Sequence, residues 1–91
     1  MIISWKTDGS AGAVDTVRNW LEEGSNHSDY ITWAESNGRL NYSWDIVGDD
    51  IVITEEWNID RAAYDALAID HKANGEDLPV TETNDHLTFN E

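Results

Sequence analysis

Three observations predict an α+β domain built on an antiparallel sheet. Two turn signals, Asn37-Gly38 and Gly48-Asp49, divide residues 30–57 into three alternating runs that share one apolar face. Two other segments, 10–24 and 58–75, carry apolar residues at helical spacing. Short apolar runs near each end supply a first and a last strand. The predicted order is β-α-β-β-β-α-β in a single domain, residues 1–91. A central three-stranded meander is joined by N- and C-terminal strands, with two helices on one face.

Each element has its own signal. "IISWKT" opens the chain as a strand. "SAGAVDTVRNWLEEG" follows as a helix with Ser10 as N-cap and Gly24 as stop. Val14, Val17 and Leu21 form its apolar stripe, flanked by Ala13 and Trp20. Asp15, Arg18 and Glu22 share its polar face, and Glu23 points further round to solvent. Glu22 and Glu23 occupy the last turn, where the partial negative charge of a helix end disfavours carboxylates by about 0.3–1 kcal/mol each.

In "YITWAESNGRLNYSWDI", a two-residue turn at Asn37-Gly38 pairs Glu35 with Leu40, Trp33 with Tyr42 and Ile31 with Trp44. The turn at Gly48-Asp49 pairs Ile46 with Ile51, Trp44 with Ile53 and Leu40 with Trp57. Both registers give the same apolar face. The opposite face carries Thr32, Ala34, Asn41, Ser43, Asp45, Thr54 and Glu56 and is expected to be solvated. Tyr30 points to that outer face and is the aromatic contact candidate. Glu55 falls on the apolar face opposite Tyr42, and Asp70 falls in the apolar arc of the second helix. Two explanations are open for such carboxylates: a rim position in reach of water, or an acidic interface. "NIDRAAYDALAIDHKANG" is the second helix, capped by Asn58 or Asp60 and ended by Asn74-Gly75, with Ala63, Ala66 and Leu67 toward the sheet. The segment from Val80 to Phe89 is the last strand, with Leu87 and Phe89 inward.

Charge is the outlier of the composition. Nineteen Asp and Glu oppose five Lys and Arg, a formal net charge of −14. The carboxylates run from Asp8 to Glu91 without a dense block, so they are threaded through structured segments. With 40% hydrophobic residues and five Trp, the chain is too apolar for a disordered acidic tail. Such a charge disfavours direct binding to nucleic acid or anionic lipid, which require basic patches. No run approaches the length of a membrane span, and the first residues lack the basic-then-apolar pattern of a signal peptide. The absence of cysteine suits a reducing compartment, and the cytoplasm is the expected location.

No pattern names a reaction. His27, His71 and His86 stand in no metal-ligand spacing, and no metal or other cofactor is expected. Asp49-Asp50 with Glu55-Glu56 lacks the spacing of a calcium loop. There is no cysteine nucleophile, no G-x-S-x-G and no Gly-rich phosphate loop, so no catalytic residue is assigned and the chain is not expected to be an enzyme.

What remains is charge displayed on a scaffold. Carboxylates at i and i+2 on one strand face are about 6–7 Å apart, on the order of phosphate spacing along a nucleic-acid strand. In size, charge and absence of catalytic motifs, the chain resembles small phage-encoded DNA-mimic inhibitors, anti-CRISPR proteins among them. That resemblance is one of composition over the whole chain and transfers no individual residue. It implies an inhibitor that occupies a basic, nucleic-acid-binding protein or complex. The same electrostatics suit an immunity protein that neutralises a basic nuclease toxin. A halophilic housekeeping domain is the third reading, and the content of Asn, Trp and Ile counts against it. The partner-binding candidates are Asp45, Asp49, Asp50 and Glu56, with Glu22 and Glu23 as a second cluster and Tyr30 as the aromatic contact. Acidic edge strands discourage self-pairing, so a monomer is expected.

Overall fold

The computed structural model describes residues 1–23, 25–67, 72–73 and 76–87. The chain folds as α+β. Its elements are β1 (Ile2–Thr7), α1 (Ala13–Glu23), α2 (Ser25–Ser36), β2 (Arg39–Val47), β3 (Asp50–Trp57), α3 (Arg61–Ala66), β4 (Lys72–Ala73), β5 (Glu76–Asp77) and β6 (Val80–Thr83). The main sheet is antiparallel in the order β2-β3-β1-β6, and β4 pairs with β5 alone.

The hairpin of β2 and β3 has the register that a turn at Gly48-Asp49 dictates. Tyr42 lies opposite Glu55, Trp44 opposite Ile53 and Ile46 opposite Ile51. The first strand of the predicted meander is instead helix α2. The reason is a second period in the same residues. His27, Tyr30 and Ala34 lie at i, i+3 and i+7, and all three are buried. Burying that stripe against α1 and the sheet overrides the local alternation of Ile31 and Trp33. Asn37-Gly38 therefore closes a helix rather than a hairpin. The Asn37 backbone N–H donates to the carbonyls of Trp33 (3.2 Å) and Ala34 (3.1 Å), and its side-chain amide donates to Trp33 at 2.7 Å. Gly38 adopts φ +113°, a conformation that glycine alone takes readily. Two consequences correct the sequence reading. Tyr30 is buried in the core instead of facing out from the sheet, and Trp33 is 37% exposed.

The pairing of β2 departs from the predicted register at one point. A bulge between Arg39 and Asn41 sets Arg39, not Leu40, opposite Trp57. Leu40 is turned out to solvent and Arg39 is carried over the core face.

One apolar cluster unites Ile3, Ile51, Ile53 and Trp57 of the sheet with Val17, Trp20 and Leu21 of α1, Tyr30 and Ala34 of α2, and Tyr64 of α3. The two longer helices thus cover one face. Asp60 caps α3 by accepting from the Ala63 N–H at 2.9 Å. The buried residue of α3 is Tyr64, whereas Ala63 and Ala66, expected to face the sheet, are exposed. The second helix is also shorter than predicted. Lys72 and Ala73, expected within it, pair as a strand with Asp77 and Glu76. Asn74-Gly75, expected to end that helix, lies outside the described residues. Asp70, His71 and Phe89 lie outside the described residues.

The outer sheet face is not uniformly solvated. Ser4 and Thr54 lie opposite each other on it and are wholly buried. Their hydroxyls meet at 2.8 Å. Residues after β6 close over them: His86 Nδ1 lies 2.7 Å from Ser4 Oγ, and the Leu87 N–H donates to Thr54 Oγ1 at 2.9 Å. Alternation alone cannot reveal a segment that folds back from 33 positions beyond Thr54 and 82 beyond Ser4. These hydrogen bonds fasten that segment in place.

Candidate functional site: an acidic sheet end

Arg18, Lys6 and Arg61 have exposed side chains, and each is bound to a carboxylate. Arg18 meets Glu22 at 3.3 Å, and Lys6 meets Asp85 at 3.4 Å. Arg61 reaches Asp65 at 3.0 Å and grips Glu82 with two hydrogen bonds of 2.8 and 2.9 Å. That grip lowers the pKa of Glu82 and raises that of Arg61. Arg39 is buried. Among the described residues, Asp8, Asp15 and Asp60 form no ion pair. Asp45, Asp49, Asp50 and Glu56 on the β2–β3 hairpin form no ion pair among the described residues, and neither do Asp29 and Glu35 on α2.

The hairpin residues are placed as follows. Asp45 and Asp49 are exposed at the turn end. Asp50 is half-buried, and its Oδ1 accepts from Thr7 Oγ1 at 2.7 Å. Thr7 Oγ1 in turn accepts from the Ile51 N–H at 3.2 Å. Asp50 is thus partly a structural ligand rather than a free turn-tip side chain. Asp8 follows Thr7 at the same end of the sheet. Its carboxylate accepts from the Ser10 hydroxyl and backbone N–H, which lowers its pKa. Glu56 lies at the far end of β3 and accepts from Asn41 Nδ2 at 3.1 Å. No described strand carries the expected i, i+2 row of carboxylates; Asp50 and Glu56 are six positions apart, about 20 Å along a strand. Asp45, Asp49 and Asp50 gather at the turn end of the sheet with Asp8 beside them, and Glu56 lies at the opposite end. Glu22 is exposed but paired with Arg18, and Glu23 ends α1 with its side chain outside the described residues. Of the expected second cluster, Glu22 is therefore not a free carboxylate.

A second constellation escaped sequence reasoning. Glu55, which the register places on the apolar face, is neither at a rim nor part of an acidic interface. It is wholly buried, and its Oε2 accepts from Arg39 Nη1 at 2.9 Å and from the Tyr30 hydroxyl at 2.9 Å. The Arg39 guanidinium lies 4.2 Å from the Tyr42 ring centroid and 5.3 Å from that of Tyr30. Burial is the main cause that pushes the Tyr30 hydroxyl pKa far up, with the Glu55 charge second. The signal available in the sequence was Glu55 itself, a carboxylate on the core face that demanded a cation. The bulge hid which cation. Sealed from solvent, with Arg39 Nη2 left without a hydrogen-bond partner among the described residues, this cluster fixes the packing of α2 on the hairpin and offers no approach to a substrate.

His27 borders the cluster. It packs between Trp20 (4.7 Å between ring centroids) and Tyr42 (5.8 Å). Burial lowers its pKa, and the nearby Arg39 charge lowers it further. The unfolded chain then binds a proton near pH 6.5, before the folded chain does, so stability falls as the pH drops below that value. We expect a His27→Leu variant to lose less stability than the parent between pH 7.5 and 5.5 in urea unfolding. Identical pH slopes would show that His27 protonates freely in the fold.

No family model, curated protein or solved structure matches the chain. Among the described residues no helix is long and apolar enough to cross a membrane.

Proposed function

We propose that the chain is an acidic binding protein that inhibits a basic, nucleic-acid-binding protein or complex by presenting carboxylates where that partner expects phosphates. The observation that carries the reading is the distribution of counter-ions. Arg18, Arg61 and Lys6 are held by Glu22, Asp65, Glu82 and Asp85, while the hairpin acids form no ion pair among the described residues. A field of one sign on a rigid scaffold steers a partner of opposite sign and is sensitive to salt. The buried Arg39–Glu55 pair ties the hairpin together at its other end. On this reading the domain acts by occupancy, without turnover, metal or cofactor. Its compartment is the cytoplasm in which the partner meets nucleic acid, that of a host cell if an invading genome encodes it.

The test is competition. A DNA-binding complex of a bacterial defence system is held on labelled DNA, and the domain is titrated in at 0.05 and 0.3 M salt. Displacement at low salt that weakens at high salt, and that polyglutamate at equal charge does not reproduce, supports the reading. If the complex binds this domain and its DNA together with unchanged affinities, mimicry is wrong.

A further inference from the structure

β2 forms one margin of the main sheet, and among the described residues no strand lies beyond it. At nine residues it is the longest strand. Its pairing decides which backbone groups are engaged. The two-residue turn makes Val47 and Asp50 the closing hydrogen-bonded pair. Val47, Asp45 and Ser43 then direct their N–H and C=O groups to β3, while Tyr42, Trp44 and Ile46 direct theirs outward. Ile51 agrees with this alternation: lying opposite Ile46, it turns its N–H toward Thr7 on the β1 side. The margin is also apolar. Leu40, Ile46 and Val47 are three of the five large hydrophobic side chains found exposed.

One outward group is already occupied. The Ile46 N–H donates to Asp45 Oδ1 at 2.8 Å. For Tyr42 and Trp44 no backbone partner on that side is found among the described residues. A carboxylate folded onto its own edge repels a second acidic strand and attracts a cationic one.

We infer that the open edge of β2 is the docking site, and that the partner adds an extended basic segment to it as a fifth strand. This rests on the reading of the domain as an acidic binding protein. A lysine or arginine opposite Asp45 draws the carboxylate away and frees the Ile46 N–H for the added strand. An apolar neighbour on that strand covers Ile46. Main-chain hydrogen bonds then give affinity, and alternation of basic and apolar side chains gives specificity. A second copy of the chain is disfavoured as occupant, because each copy carries a net charge of −14 and its own Asp45 at the same edge.

The probe is a capped nine-residue peptide alternating lysine and valine, with capped oligolysine of equal length as control. Amide exchange is followed residue by residue at low salt. The alternating peptide should slow exchange at Tyr42 and Trp44 by at least tenfold, and oligolysine should not. An Ile46→Pro variant removes an outward donor without changing charge. It should bind the alternating peptide at least tenfold more weakly and oligolysine equally well. Protection elsewhere, or none, in the wild-type chain overturns the proposal even if the variant fails to fold. Binding of oligolysine without edge protection by the alternating peptide removes the edge proposal and leaves the acidic reading standing. If neither peptide binds, both fall. If Tyr42 and Trp44 become protected with rising protein concentration and the chain sediments as a dimer, the occupant is a second copy and the basic strand is wrong.

Discussion

Replacing Glu55 by leucine should cost the domain about 3–5 kcal/mol, and Arg39→Leu should cost a similar amount, because each single change leaves a buried charge without its partner. A chain of this length is expected to hold only about 5–14 kcal/mol in total, so either variant stands near the unfolding threshold. The double variant should behave differently. Removing both charges abolishes both desolvation penalties, and two leucines fill part of the space between Tyr30 and Tyr42. We expect Arg39→Leu/Glu55→Leu to recover more than half of the summed loss in urea unfolding, a coupling far larger than an exposed pair gives. Single losses under about 1 kcal/mol would mean that water reaches the pair. Strictly additive losses would mean that the two side chains do not act as one unit.

The second large effect concerns association. Reversing Asp45, Asp49 and Glu56 together to lysine should slow binding to a basic partner by about 10- to 100-fold at low salt, within the range that electrostatic steering supplies. The salt dependence should flatten at the same time. Asp50 is left out because its hydrogen bond with Thr7 would mix a structural loss with an electrostatic one. The fold should survive, since Asp45 and Asp49 are exposed, half-buried Glu56 gives up one hydrogen bond with Asn41, and substitutions at exposed positions usually change stability by no more than about 0.5 kcal/mol. Stopped-flow association and circular dichroism on the same samples separate the two quantities. Unchanged association with an intact fold would move the binding surface away from the hairpin, and α2 with Asp29 and Glu35 would be the next surface to reverse.

Much of the sheet was legible because its signals are local. Gly48-Asp49 is flanked by alternating runs whose register is decided by one turn, and Glu55 opposite Tyr42 follows directly from it. Helix α2 was hidden by competing periods. Residues 31, 33 and 35 alternate convincingly over one short stretch, while the helical stripe begins at His27, a residue that reads as polar in a run of Ser, Asn and Asp. Only the burial of His27 between Trp20 and Tyr42 reveals it as part of an apolar face. Asn-Gly cannot arbitrate, because a positive-φ glycine serves a helix end and a hairpin turn equally well. The site divides in the same way. Exposed turn acids could be placed from the hairpin alone, whereas the role of Arg39 depends on a bulge, and that of Ser4 and Thr54 on a segment returning from beyond β6. Non-local contacts of this kind leave no pattern in the strand that receives them.

The place of β1 in the sheet has a consequence for how the chain is made. This strand is synthesised before both of its neighbours, residues 50–57 and 80–83. At roughly 5–20 residues per second of synthesis, β1 waits several seconds for either of them. During that interval Ile2, Ile3 and Trp5 have no sheet to join, and neither α1 nor α2 has the surface it will cover. The contacts that complete the fold span most of the sequence, which slows closure even after release. A nascent chain in this position is exposed to self-association, and its many carboxylates hold one half-made chain away from the next until the last strand closes.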